Sequence, residues 1–128
     1  MLLHLSDISN EPLHMQISRQ IRAKILAGDF QENHELPSIR ILAREQRVSV
    51  ITIRRAYEDL DREGLINSRR GKGFYVASLS DGKKKTVASD RLKEMVKPAL
   101  KDALAGGLSH NDVKKIVEAV IDGEVRKR

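Results

Sequence analysis

Two short amphipathic patterns separated only by Gln46 to Val48 constrain this chain more than any other feature of its sequence. Upstream, Pro37 and Ser38 supply a stop followed by an N-cap, and Ile39, Leu42 and Ala43 give a short helix its apolar contacts. Ile41 occupies the third helical position, where a capping box would place a Glu. Downstream, Ser49 is the N-cap candidate of a helix that buries Ile53, Ala56, Tyr57 and Leu60 at helical spacing and ends at Gly64. The residues between the two patterns form a tight turn.

The flanks complete a recognisable order. Pro12 precedes an i, i+4 stripe of Leu13, Ile17, Ile21 and Ile25, with Arg19, Arg22 and Lys24 off the stripe and Gly28 as its stop. The stretch from Asp29 to Leu36 reads as polar and irregular. After Gly64, Leu65 to Ser68 and Phe74 to Ala77 are short runs joined by Arg69, Arg70, Gly71, Lys72 and Gly73, a hairpin whose basic tip needs glycine backbone freedom. Three helices with a tight turn between the second and third, followed by a hairpin, is the order of a winged helix-turn-helix, whose third helix enters the major groove of DNA.

Residues 79–86, with Asp81, Gly82 and three consecutive lysines, have the composition of a basic linker between a domain at 1–78 and a helical segment at 87–128. In that segment Leu92, Met95, Val96, Ala99, Leu100, Ala103 and Leu104 form a wide apolar stripe, with Pro98 expected to kink or restart the helix and Gly106 and Gly107 closing it. Ser109 and Asp112 make a capping-box pattern ahead of a second stripe of Val113, Ile116, Val117, Val120 and Ile121. About 50 residues are too few to bury both stripes of this helical hairpin, and with no cysteine to staple it a partner is the cheaper answer. The expected fold is therefore mainly α with a small β-wing, followed by a C-terminal hairpin used for dimerisation through Leu92, Val96, Leu100, Leu104, Ile116 and Val120.

Charge points to the class of partner. The 24 basic residues outnumber 18 acidic ones in a chain of 128, a net charge of +6 that favours polyanions. The stretch from Arg40 to Arg55 holds five arginines (40, 44, 47, 54 and 55) against the single acid Glu45, so positive charge is concentrated there. If Ile53 faces the core, Ile51, Arg55, Glu58 and Arg62 lie opposite and Arg54 lies on the flank. An outward Ile51 suits a thymine methyl, and the arginines suit guanine edges or phosphates. Aromatics make up 3% of residues and tryptophan is absent, which leaves little for a base-stacking platform of the single-strand type.

Other classes are disfavoured. The length leaves no room for a large catalytic fold, and no nucleophile–base pair, phosphate loop or cofactor site is found, so the chain is not expected to be an enzyme. His4, His14, His34 and His110 lack ligand-like spacing and no cysteine accompanies them, so no metal is expected. No apolar run approaches the roughly 20 residues needed to span a bilayer, no signal peptide is seen, and the absence of cysteine fits a reducing cytoplasm.

Several motifs together resemble the GntR-type bacterial transcriptional regulators: Pro12-Leu13 with Gln16-Ile17, Leu36-Pro37-Ser38-Ile39-Arg40, Ala56-Tyr57-Glu58-Asp59-Leu60, Glu63-Gly64-Leu65-Ile66 and Gly71-Lys72-Gly73-Phe74-Tyr75-Val76. The short helical tail, in place of a large effector-binding domain, resembles the YtrA subfamily. The resemblance implies a homodimeric regulator, usually a repressor, commonly controlling transporter-type operons, and two recognition helices in such a dimer are expected to read a pseudo-palindromic operator. It places the DNA-reading positions on Arg40, on Ser49, Val50, Ile51, Thr52 and Arg54, and on Arg70, Gly71 and Lys72. The residues themselves add Arg55 from the helical wheel and Ser38, whose hydroxyl, like those of Ser49 and Thr52, serves a phosphate or a cap. Two departures stand out. Val50 replaces an arginine found in many members, and Asn33 stands at a loop position often held by glycine, where Asn tolerates a left-handed conformation. A small-molecule effector is left open with no ligand named, and a winged-helix protein-interaction module without sequence reading is the alternative.

Overall fold

A computed structural model describes residues 1–127. Its elements are α1 (Leu13–Leu26), α2 (Ile39–Gln46), α3 (Val50–Arg62), β1 (Ile66–Arg69), β2 (Gly73–Val76), α4 (Asp81–Ala105) and α5 (His110–Arg126). The chain divides into two compact units, one ending at Lys84 and the other beginning at Lys85.

In the first unit both α1 and α2 pack on α3, and β1 continues from it. Most of the expected stripes are buried, namely Ile17, Ile21 and Ile25 of α1, Leu42 and Ala43 of α2, and Ile53, Ala56, Tyr57 and Leu60 of α3, while Leu13 and Ile39 at the helix starts are half-buried. Each large aliphatic side chain so buried contributes about 1.5–3 kcal/mol. The local signals act as anticipated. Ser38 Oγ accepts from the Ile41 amide at 3.2 Å and Ser49 Oγ from the Thr52 amide at 3.1 Å. Gly28, at φ 84°, closes α1 in the left-handed region.

The wing is an antiparallel pair with Ile66 opposite Val76 and Arg69 opposite Gly73. The segment expected to be irregular contributes to it. The Asn33 and Leu36 amides donate to the Val76 and Phe74 carbonyls at 2.9 Å, and the Val76 amide donates to the His34 carbonyl at 2.9 Å. A bridge between Glu35 and Tyr75 completes a short third rung along β2. These backbone bonds are non-local, so the polar composition of residues 29–36 gave no sign of them.

An N-terminal arm lies along α1, held by two glutamines one helical turn apart. Buried Gln16 accepts from the Ser6 amide and donates to the Ser6 and Glu11 carbonyls, each at 2.8 Å. Gln20 accepts from the His4 amide at 2.8 Å and donates to the His4 carbonyl at 2.6 Å. Both side-chain amides thus act as a strand edge for the arm, satisfying backbone groups that would otherwise need water.

Two expectations for the tail are corrected. Residues 81–86, assigned to a basic linker, form the first turns of α4, because Ser80 Oγ accepts from the Lys83 amide at 3.1 Å, Asp81 suits the positive end of the helix, and lysines are good helix formers. Of the two outcomes expected at Pro98, a kink or a restart, the restart does not occur: Pro98 removes one backbone donor and the helix continues to Ala105. The pattern at α5 forms a reciprocal cap, with the Asp112 amide donating to Ser109 Oγ at 3.0 Å and the Ser109 amide to the Asp112 carboxylate at 2.9 Å. The apolar stripes of α4 and α5 are left largely uncovered: Leu92, Val96, Leu100, Ile116 and Val120 are exposed, Leu92 and Val120 by more than 60%, and Leu104 is half-buried.

Candidate nucleic-acid interface

Burying the Ile53, Ala56, Tyr57 and Leu60 seam turns the opposite side of α3 outward. Ile51 is 68% exposed, Val50, Arg54 and Arg55 are exposed, and Thr52 is half-buried. On α2, Arg40 is exposed beside the Ser38 cap. The hydroxyls of Ser49 and Thr52 lie 2.7 Å apart, so the start of α3 carries a small polar cluster in front of its free amides. Ser38 and Ser49 are thereby both caps; Ser38 still holds a hydroxyl proton to offer an acceptor, and the Ser49–Thr52 hydroxyl pair retains one between its two members.

Electrostatics separate the arginines of the first unit into two sets. Arg19 pairs with Glu11, Arg22 with Glu63 and Arg62 with Asp59, while Arg69 donates to Asn33 Oδ1 at 2.5 Å and stacks 4.1 Å over the Tyr75 ring. The side chains of Arg40, Arg44, Arg47, Arg54, Arg55 and Arg70 make no hydrogen bond or ion pair among the described residues. The uncommitted set lies on α2, on α3, in the turn between them and at the wing tip. Unpaired cations gathered on neighbouring elements favour a polyanionic ligand.

At the wing tip, Arg70, Gly71 and Lys72 are exposed. Gly71 has φ 72° with open space around the position a Cβ would take, so the turn needs glycine's backbone freedom and leaves room for close approach. The Lys72 amide donates to the Arg69 carbonyl at 2.8 Å and Tyr75 donates to the Lys72 carbonyl at 3.2 Å, which stiffens the tip. Asn33 adopts the left-handed conformation expected of it, at φ 65°, and from there holds Arg69. Sequence reasoning missed this second role of Asn33 and the commitment of Arg69 to the wing. Among the described residues no group of three or more His, Asp or Glu side chains is placed to hold a metal ion, and no helix is long and apolar enough to cross a membrane.

Comparison with known proteins follows the same outline. The profile of the family described as bacterial regulatory proteins, gntR family, matches residues 13–76. The chain is 30% identical over 130 residues to the HTH-type transcriptional repressor YtrA of Bacillus subtilis (strain 168), an alignment covering 96% of this chain and 98% of that protein. It is similar in structure to YtrA from Sulfolobus acidocaldarius, a GntR-family transcription factor, with 28% identity, a TM-score of 0.62 and coverage of 82% of this chain and 99% of the other. The DNA-binding domain of AraR in complex with operator ORX1 matches 59% of this chain and 93% of its own length, with 31% identity and a TM-score of 0.52.

Proposed function

The chain belongs to the gntR family of bacterial regulatory proteins, DNA-binding transcription factors rather than enzymes, and on that footing we propose that it acts as a homodimeric repressor on a pseudo-palindromic operator. The observation that carries this reading is the uncommitted set of arginines on α2, α3 and the wing tip, set against the paired arginines elsewhere in the same unit.

In this reading α3 lies in the major groove. Arg54 and Arg55 reach base edges or phosphates, and exposed Ile51 meets a thymine methyl beside Val50. Ser49 and Thr52 present hydroxyls to a phosphate at the start of α3, Ser38 does so from α2, and Arg40 reaches base edges from the same helix. Arg70 and Lys72, with Gly71 between them, approach the adjacent minor groove. Two copies are held together by the exposed stripes of the tail, through Leu92, Val96, Leu100, Leu104, Ile116 and Val120, so that one helix pair from each chain covers the other. The repressor sense of the proposal draws on the name of the Bacillus relative.

Selection of bound duplexes from a random pool at about 0.15 M salt tests it. An enriched inverted repeat is expected, its half-sites separated by a distance that two α3 helices can span. A pool that emerges unenriched, with binding that does not weaken as salt rises, rejects it in favour of a protein-interaction module.

A further inference from the structure

Arg47 is one of two residues other than glycine with a positive φ among those described, at φ 56° and ψ 44°. The other, Asn33, is of a type that tolerates this conformation and has a polar contact there. An arginine in the left-handed region carries a steric penalty that glycine lacks, and its backbone duty is simple. It closes α2, with its amide donating to the Arg44 carbonyl at 3.3 Å and the next amide, of Val48, donating to the Ala43 carbonyl at 3.0 Å. Glycine would meet that duty without strain. The side chain is exposed and engages no other group among the described residues. A residue held against its conformational preference, with its guanidinium idle, is explained by something outside the chain.

Position indicates what that is. Arg47 stands two residues before Ser49, at most about 7 Å along the chain from the cap of α3. Arg40 and Arg44 lie about 40° apart around α2, on the side opposite buried Leu42, and exposed Arg47 follows as the C-cap of that helix. Three exposed arginines thus follow one another along α2 and its C-cap toward the start of α3. We propose that Arg47, supported by Arg44, is a phosphate-binding residue that extends the DNA surface along α2, fixing how α3 sits on the duplex without reading bases. This rests on the DNA-binding function proposed above. Arg44 lies in the last turn of α2, where a cation also favours the carbonyl end of the helix, so Arg47 with its strained backbone is the sharper case.

The test uses the full chain, the duplex obtained by selection and a scrambled duplex, titrated between about 0.05 and 0.2 M salt. Arg47→Gln is expected to lower the slope of log affinity against log salt by about 0.9 on both duplexes alike, and Arg47→Lys to keep the slope. Arg47→Gly is expected to lose the same slope while melting no lower than the wild type, because the strain is relieved. Arg47→Gln with an unchanged slope and a reduced melting temperature would overturn the inference, since the guanidinium would then serve only the end of α2. Wild-type chain that binds the selected duplex with a steep slope, alongside an Arg47→Gln variant that does the same, sinks this inference alone. Wild-type chain that binds no duplex sinks the function beneath it as well.

Discussion

The hydroxyl of Tyr57 donates to the carbonyl of Pro37 at 2.6 Å, joining the middle of α3 to the residue that precedes the N-cap of α2. The same buried ring meets Phe74 of β2 edge-on, with centroids 5.0 Å apart. One side chain therefore sets α3 against both the start of α2 and the wing, the elements that carry the uncommitted arginines.

Tyr57→Phe leaves the Pro37 carbonyl without that donor and is expected to destabilise the first unit by about 1–3 kcal/mol, read as a lower urea midpoint at neutral pH. An unchanged midpoint would mean that the bond contributes nothing net.

Burial raises the Tyr57 pKa above its ordinary value, and the negative charge of Glu45 raises it further. The fold thus favours the protonated phenol. An unfolded tyrosine ionises near pH 10, so the contribution is fully present below about pH 10 and is lost as pH climbs from there toward the raised folded value. Denaturation between about pH 8 and 11 should show the wild type losing stability more steeply than Tyr57→Phe at the alkaline end. Parallel curves would refute this.

Arg22 of α1 makes a two-pronged contact with Glu63 at the end of α3, with bonds of 2.8 to 3.2 Å and side-chain exposures of 8% and 19%. Glu63→Ala leaves a nearly buried guanidinium unpaired and is expected to cost about 2–4 kcal/mol. Replacing both partners, as Arg22→Met with Glu63→Leu, should recover most of that loss in thermal melts. A double variant as unstable as the single one would show that the geometry of the pair, rather than charge burial, matters.

Arg54→Ala should cost about 1–3 kcal/mol on the selected operator and less on a random duplex, as expected for loss of base reading. Lys72→Ala should weaken both duplexes alike and reduce the salt slope by about 1. Equal losses on both duplexes for Arg54→Ala would remove it from the base-reading set and leave it as a phosphate contact.

Acidic residues on the tail stripes test the dimer. Leu100→Glu with Ile116→Glu places charges on exposed apolar positions of α4 and α5, where a single chain tolerates them and an apolar interface does not. Sedimentation should report a monomer with the helix content retained. A dimer of undiminished strength would move the interface elsewhere.

Much of this was legible from residue order. The spacing of Ile17, Ile21 and Ile25 and of Ile53, Ala56, Tyr57 and Leu60 predicted which faces are buried, and Ser38, Ser49 and Ser109 marked the helix starts. The reading of residues 79–86 as a linker gave way to helix over 81–86 because local composition underweighted the Ser80 cap. The i, i+4 pair Gln16 and Gln20 was a usable signal for a clamped arm, since two amides on one helix face can pair with an adjacent backbone.

Local order alone determined the periodicities, the caps, the turn between α2 and α3 and the basic wing tip, because each depends on residues a few positions apart. Arg62 pairs with Asp59 three residues away, but tertiary structure decided the long-range commitments. Arg22 finds Glu63 across 41 residues and Arg69 finds Asn33 across 36, while Arg40, Arg47 and Arg54 find no partner among the described residues. Composition counts every arginine alike. Only the packing of α1 on α3 and of the wing against residues 33–36 brings acids and amides to some of them, leaving the others free for an external anion.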